Sequence, residues 1–308
     1  MTMIKAMPQP AAAVELLATG TGADAGTGAV LDLAPARRPW LRRLRRVEPG
    51  LVLAWAVIAL VVLWAAAPWL FTDHNPLAGT PAQRLRPPSA LHWFGTDMLG
   101  RDLYARVVHG AVHSLSGAFF AVAVGFLAGT LIGVVAGSAG RVADDVLMRV
   151  VDTLLAVPTL LLSLSILMIM GFGTINAAVA VGVTAIASFA RLVRSEVIRV
   201  RRTEYVEAAF GSGGGFLAVL WRHVLPNSLT SAFALAALQF GMAILAISTL
   251  SFLGYGAPPP TPEWGLLIAE GRNYLATAWW LTTIPGLVVV AVVLSANRIS
   301  RSLGKDRR

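Results

Sequence analysis

The sequence predicts an all-α membrane protein with six transmembrane helices. Of its 308 residues, 56% are apolar and 13% are charged, and the mean hydropathy is +0.69. Soluble domains are about 45–50% apolar and about 25% charged, so this chain lacks the charged surface that a soluble protein of its size needs. The apolar residues also fall in runs of about 20, the length of helix that crosses a ~30 Å hydrocarbon core.

Six apolar runs are the candidate spans. No charged residue lies near the middle of any run, and the fourth run is shorter and richer in small residues than the others. Pro158 in the third run removes a backbone hydrogen bond, which predicts a kink at that point. In chain order the runs are residues 51–70, 111–136, 150–170, 175–190, 229–253 and 278–297.

The basic residues predict the orientation of these spans. The segments 1–50, 137–149, 191–227 and 298–308 hold 20 of the 25 Lys and Arg residues. The positive-inside rule therefore places all four segments, and with them both termini, in the cytoplasm. The net charge of +9 is then explained by topology and contact with anionic lipid, and nucleic acid is not needed to explain it.

The sequence divides into a tail and a membrane domain. Residues 1–36 are rich in Ala, Gly and Thr and contain no aromatic residue, so they cannot bury enough apolar surface to order themselves. Several arginines then precede the first span. We predict a disordered cytoplasmic tail with a basic anchor over residues 1–46 and a transmembrane domain over residues 47–308.

Several chemical functions are excluded or disfavoured by missing residues. Cysteine is absent, which removes disulfides, thiolate nucleophiles and cysteine-ligated metals. Lys5 and Lys305 are the only lysines and no phosphate-binding loop is present, so this chain is not predicted to hydrolyse ATP or to be an enzyme. His109 and His113 lie four residues apart without a third ligand nearby, so no metal site is predicted.

The spans also lack the ionisable residues that an ion-coupled transporter uses to harness a gradient. An ion- or proton-coupled carrier usually places Asp, Glu or His near the middle of a span, and this chain has none there. Such a carrier remains the rival function from a different class, and a membrane scaffold without a pathway is a third possibility. If the chain moves solute uphill, energy has to come from another polypeptide.

The second span carries small residues at every fourth position. Glycines at this spacing form a continuous ridge that lets a neighbouring helix approach closely. We predict a helix-packing surface, with a glycine hinge as the alternative. The residues are Gly117, Ala121, Gly125, Gly129, Gly133 and Gly137.

Residues 191–227 form the longest loop between spans that is predicted to lie in the cytoplasm. After a run of arginines, the pattern predicts a short helix that contains Glu207, a glycine turn, a second short helix and a stop at Pro226. Such a unit projects from the membrane and offers an apolar stripe to a partner. A plain connector is the alternative, although a connector could be far shorter.

This segment resembles the coupling loop of permease subunits of binding-protein-dependent ABC importers. The loop motif is matched by Glu207-Ala208-Ala209, Gly213 and His223-Val224-Leu225-Pro226 at the family spacing. The resemblance implies that Glu207, Ala208, Ala209, Gly213, His223, Leu225 and Pro226 contact a cytoplasmic ATPase. The extra glycines of residues 211–215 predict a looser turn than the family usually has. We call residues 191–227 the coupling loop.

Two polar segments, residues 71–110 and 254–277, are predicted to lie outside, and we call them the first and second polar loops. Stretches 92–102, 250–256 and 259–265 resemble the branch of the family that imports dipeptides, oligopeptides, nickel and glutathione, and its second permease subunit. For residues 95–102 we expect either a turn held by its own side chains or contact with a solute-binding protein. The contact candidates are Gly95, Thr96, Asp97, Gly100, Arg101, Asp102, Pro262, Glu263 and Trp264.

The resemblance implies a type I ABC importer permease fold in the inner membrane of a bacterium. The chain would form half of a pathway for short peptides, with nickel or metal chelates, or glutathione, as alternative cargo. The implied partners are a homologous second permease, two ATPase subunits or one fused pair, an external solute-binding protein and the lipid membrane. No cofactor is expected on this chain, since ATP and Mg would be held by the ATPases.

Overall fold

The computed structural model describes residues 48–305. All regular secondary structure in this part of the chain is helical. Over residues 48–305 it contains no β-strand, only two isolated β-bridges within the first polar loop. The helices are α1 (Pro49–Ala66), α2 (Leu103–Ser138), α3 (Arg141–Ala156), α4 (Thr159–Met170), α5 (Thr174–Arg201), α6 (Glu204–Gly211), α7 (Phe216–Val219), α8 (Leu225–Phe252), α9 (Trp264–Gly271) and α10 (Trp280–Lys305).

Five helical segments are long and apolar enough to cross a membrane, and a bent pair brings the number to six. The five are α1, α2, α5, the continuous stretch from α7 through α8, and α10. They overlap the predicted runs, and α5 continues to Arg201, so the first part of the coupling loop is helical. The predicted tail, residues 1–46, lies outside the described residues.

The third predicted span is broken rather than kinked. Helices α3 and α4 meet at 96°, because Pro158 cannot donate a backbone hydrogen bond and forces Val157 into an extended conformation (φ −88°, ψ 130°). Helix α4 has 12 residues, or about 18 Å, which is too short to cross the hydrocarbon core alone. Only α3 and α4 together can form the sixth span.

The centre of the bundle is the contact between α2 and α5. The small-residue ridge of α2 is buried against α5. A Cβ atom on Gly129 would lie 2.5 Å from the Cβ of Phe189, and one on Gly133 would lie 2.6 Å from the carbonyl oxygen of Ala190. These distances are shorter than real Cβ contacts, so the two backbones approach as closely as they do because α2 has glycine there.

The remaining helices surround this pair. Helix α8 packs against α2, α5 and α10, and α10 in turn packs against α1 and α9. The largest fully buried side chain is Trp264 at the start of α9, whose indole Nε1 donates to the Val107 carbonyl of α2 over 3.0 Å. This contact fixes the second polar loop to the end of the bundle at which α2 begins.

Candidate functional site

The turn that follows α6 has the geometry of a Schellman motif. Gly213 has φ +85°, its N–H donates to the Phe210 carbonyl over 3.0 Å, and the N–H of Gly214 donates to the Ala209 carbonyl over 3.1 Å. Glycine is favoured at the left-handed position of this motif because it has no Cβ. The position of Gly213, six residues after Glu207, therefore determines where α6 ends.

The neighbouring glycines differ in what they require. A Cβ on Gly214 would lie 2.6 Å from the Ala209 carbonyl oxygen, whereas a Cβ on Gly211 or Gly215 would meet nothing within 4 Å. The prediction of a looser turn therefore concerns Gly211 and Gly215, which the geometry does not require to be glycine. Two hydrogen bonds close the turn, and two of its glycines are needed for that closure.

A buried apolar cluster fixes the coupling loop to the membrane helices. Val206 of α6 and Val219 of α7 are almost completely buried, and they belong to one cluster with Val197 and Val200 of α5 and Ala232 of α8. Burial of each such side chain contributes about 1.5–3 kcal/mol. The loop is thus packed onto the ends of two spans.

Arg201 adds a polar connection to a third helix. Its Nη1 donates to the carbonyl oxygens of Gly137 at 2.9 Å and Ser138 at 3.2 Å, and its guanidinium lies over the Phe216 ring at 5.9 Å. A positive charge on these carbonyls also interacts favourably with the end of the α2 dipole. In the sequence Arg201 is one arginine of a run, and nothing there distinguishes it.

The start of α8 is held to α6 by a second polar contact. The Asn227 carboxamide Nδ2 donates to the Tyr205 hydroxyl at 3.0 Å and to the His223 carbonyl at 2.8 Å. A π-helical turn, Leu220–Val224, joins α7 to α8. The N–H of Leu225 donates to the Leu220 carbonyl five residues back, one residue before Pro226, which has no N–H to donate.

The outer surface of the coupling loop around the family motif combines exposed apolar side chains with charged ones. Glu207, Ala208, Gly213 and Pro226 are exposed, while Ala209, His223 and Leu225 are partly buried. Leu217 is 67% exposed and Trp221 is 68% exposed. Both belong to the apolar stripe expected of the second short helix, although the motif does not include them. A surface of this composition is typical of a protein contact.

The residues predicted to contact a binding protein are buried within the chain. Gly95, Thr96, Asp97, Gly100, Arg101, Asp102, Pro262, Glu263 and Trp264 are all buried. A partner cannot touch these side chains in this conformation, so direct contact through them is corrected to a structural role. The first polar loop instead exposes Leu91, Trp93 and Leu99.

An ion cluster explains this burial. Asp97 Oδ2 accepts from Arg101 Nε at 2.6 Å and from Arg106 Nη1 at 2.7 Å, and Arg106 Nη1 also lies 2.7 Å from Glu270 Oε2. Asp102 caps α2 by accepting from the Ala105 N–H at 2.8 Å. Buried charges are stable only when paired in this way, and the cluster joins the two polar loops.

The second polar loop is fixed by a similar device. Glu263 is fully buried and accepts from the N–H groups of Gly265 at 3.0 Å and Leu266 at 2.9 Å, which caps α9.

Within residues 48–302 no group of three or more His, Cys, Asp or Glu side chains could hold a metal ion. His109 Nδ1 instead lies 2.9 Å from the Ala105 carbonyl.

Comparison with known proteins agrees with this architecture. Residues 129–308 match the family model described as the binding-protein-dependent transport system inner membrane component. The chain is 38% identical, over 88% of its length and 90% of the relative, to a dipeptide transport system permease protein of Alkalihalophilus pseudofirmus. It is 36% identical, over 87% of its length and 90% of the relative, to a glutathione transport system permease protein of Pectobacterium atrosepticum.

Solved structures show the same fold. A chain of the MetNI methionine ABC transporter in an inward-facing conformation matches with a TM-score of 0.54 and 19% identity, over 64% of this chain and 96% of the other. A chain of an amino acid ABC transporter matches with a TM-score of 0.53 and 16% identity, over 67% of this chain and 95% of the other. The fold is that of type I ABC importer permeases, and the chain belongs to the family of binding-protein-dependent transport system inner membrane components.

Proposed function

We propose that this chain is a permease subunit of an ATP-driven importer of short peptides, and that its coupling loop receives the movement of an ATPase. The observation that carries this proposal is the construction of the loop. Its buried cluster and the contacts of Arg201 attach it to α2, α5 and α8, while Leu217 and Trp221 remain exposed. A rigid unit with an exposed apolar surface can pass a rigid-body movement into the helices, whereas a flexible loop would absorb it.

The cargo proposal rests on the named relatives. Dipeptide and D,D-dipeptide permeases are 38% and 37% identical to the chain, which favours short peptides. The 36% identity to a glutathione permease makes glutathione, itself a short peptide, the alternative, with nickel or metal chelates as a further one. A separate external binding protein would select the cargo.

The remaining parts of the proposal concern assembly and orientation. A homologous second permease would supply the other half of the pathway, two ATPases or one fused pair would bind the coupling loops, and ATP and Mg would stay on those subunits. The coupling loop and both termini would face the cytoplasm of a bacterium, as the arginine distribution indicates. This chain would carry no catalytic residue.

Reconstitution in proteoliposomes tests the proposal. The complex of this chain with its second permease, ATPases and binding protein is expected to import a labelled dipeptide only when ATP is supplied on the coupling-loop side. The chain alone is expected to give no uptake under a proton or sodium gradient. Gradient-driven uptake without an ATPase would show the ion-coupled carrier instead, and competition by unlabelled glutathione or nickel would separate the cargo classes.

A further inference from the structure

A cavity of about 160 Å³ lies between α2, the start of α4, α5 and α8. Its polar lining consists of three hydroxyls and one carboxamide, from Thr159, Thr184, Ser188 and Gln239. Ser188 and Gln239 lie near the middles of α5 and α8, at the depth where a membrane protein has least access to bulk water.

Gln239 is the unusual residue of this group. It is only partly buried, and its carboxamide makes no hydrogen bond to the residues that the structure describes. The Thr184 hydroxyl, by contrast, is satisfied by the Val181 carbonyl at 2.7 Å. An amide that faces lipid without a partner is costly, so the surface occupied by Gln239 has to meet water, cargo or another polar group in the assembled transporter.

The cavity also lacks fixed charge. No Asp, Glu, Lys, Arg or His is among the residues that line it. Hydroxyl and carboxamide groups both donate and accept hydrogen bonds, which complements the N–H and C=O of a peptide bond. A lining of this kind contacts main-chain amides and does not discriminate between acidic and basic side chains.

We infer that Thr159, Thr184, Ser188 and Gln239 line the wall that this chain contributes to the solute pathway, and that they contact the main-chain amides of the cargo. The inference rests on the proposed function for its cargo class, while the cavity and the carboxamide of Gln239, which is unpaired among the described residues, support the position of the pathway. The volume holds several water molecules, and the opposite wall of the passage belongs to the second permease.

Thiol labelling tests the position of the pathway. Because the sequence has no cysteine, Ser188→Cys and Gln239→Cys each place a single thiol in this chain, and Leu127→Cys is the control at an apolar position that is 68% exposed. The assembled complex is treated with a charged, membrane-impermeant methanethiosulfonate, and modification of this chain is followed by mass spectrometry.

The two pathway thiols are expected to react about tenfold faster than the control, because only a hydrated thiolate is nucleophilic. A saturating dipeptide, with the ATPases held in one state by vanadate, should change their rates and leave the control unchanged. Rates at 188 and 239 equal to the control would overturn the inference and would indicate that the second permease covers Gln239. This outcome differs from loss of ATP-driven uptake, which tests the proposed function separately.

Charge substitution tests the cargo class. Gln239→Glu should raise the ratio of uptake of a lysine-containing to an aspartate-containing dipeptide about threefold or more, since like charges repel strongly at low dielectric. Gln239→Asn keeps the amide and should leave that ratio unchanged. If Gln239→Glu alters both uptakes equally, the carboxamide does not contact the cargo.

Discussion

Arg106 and Glu270 are 164 positions apart in the sequence, and Arg106 Nη1 lies 2.7 Å from Glu270 Oε2. The Arg106 side chain is fully buried, and the same nitrogen also donates to Asp97. One guanidinium thereby holds both polar loops at the end of the bundle where α2 begins.

Removing this guanidinium should destabilise the protein strongly. Arg106→Leu removes one of the two cations of the cluster and leaves Asp97 and Glu270 to share Arg101, and breaking a buried ion pair costs about 3–5 kcal/mol. Arg141→Leu is the control, because Arg141 pairs with Asp145 at 3.8 Å with both side chains largely exposed and such pairs contribute at most about 1 kcal/mol. The measurement is the midpoint of thermal unfolding in detergent, and equal midpoints for the two variants would contradict the role of the cluster.

Gly213 and Gly215 form a matched pair in the coupling loop. Gly213→Ala places a Cβ on a left-handed residue and should cost about 1 kcal/mol of local stability. Gly215→Ala should leave the turn itself intact, because its φ is −65° and its Cβ would meet no atom within 4 Å. We expect dipeptide uptake per ATP hydrolysed to fall several-fold only for Gly213→Ala, and an equal effect at both positions would argue against a conformational role.

Arg201 and Arg202 allow the contacts of an arginine with α2 to be distinguished from the effect of its charge alone. Arg201→Ala removes hydrogen bonds from a cation to two carbonyls of α2, worth about 1.5–3 kcal/mol, while Arg202 is exposed. Uptake should fall more for Arg201→Ala than for Arg202→Ala, although both remove one positive charge. Cross-linking of the coupling loop to the ATPase should persist in both variants. If Arg202→Ala were the more harmful change, surface charge would matter more than the connection to α2.

Gly129 and Gly117 test the ridge of α2. A Cβ on Gly129 would overlap Phe189, whereas one on Gly117 would lie 3.4 Å from the Thr174 methyl group, which is an ordinary contact. Gly129→Ala should therefore lower stability by about 1–3 kcal/mol and Gly117→Ala should change it little. Thermal unfolding in detergent reports both, and a larger loss for Gly117→Ala would exclude tight α2–α5 packing as the reason for the glycines.

The candidate spans and the two short helices on either side of the glycine turn could be predicted from sequence because both depend on local patterns. Apolar run length identifies a span whatever surrounds it. At Pro158 the sequence predicted only a kink. Hydropathy identifies an apolar run but contains no information about the angle between its two halves. Its 96° angle depends on how α3 and α4 pack against the rest of the bundle.

The internal structure of the site was harder to predict. Asp97 and Arg101 appear in the sequence as charges in a polar loop, and their burial depends on Glu270, which is distant in the chain. Likewise, five nearby positions in the coupling loop include four glycines, and the sequence alone does not show which one has a positive φ. The family spacing indicated Gly213. The hydrogen bond by which Gly214 closes the turn could not be predicted from the sequence.

The continuity of α7, the π-helical turn and α8 has a mechanical consequence. Together they form one helix of 37 residues, Phe216–Phe252, which is about 55 Å long. At its far end, Gly265 of α9 lies so close that a Cβ would be 2.5 Å from the Ser248 Cα. Because the helix is continuous and α9 packs against its far end, a displacement of Phe216 at the coupling loop would be transmitted through the helix to Phe252 and α9.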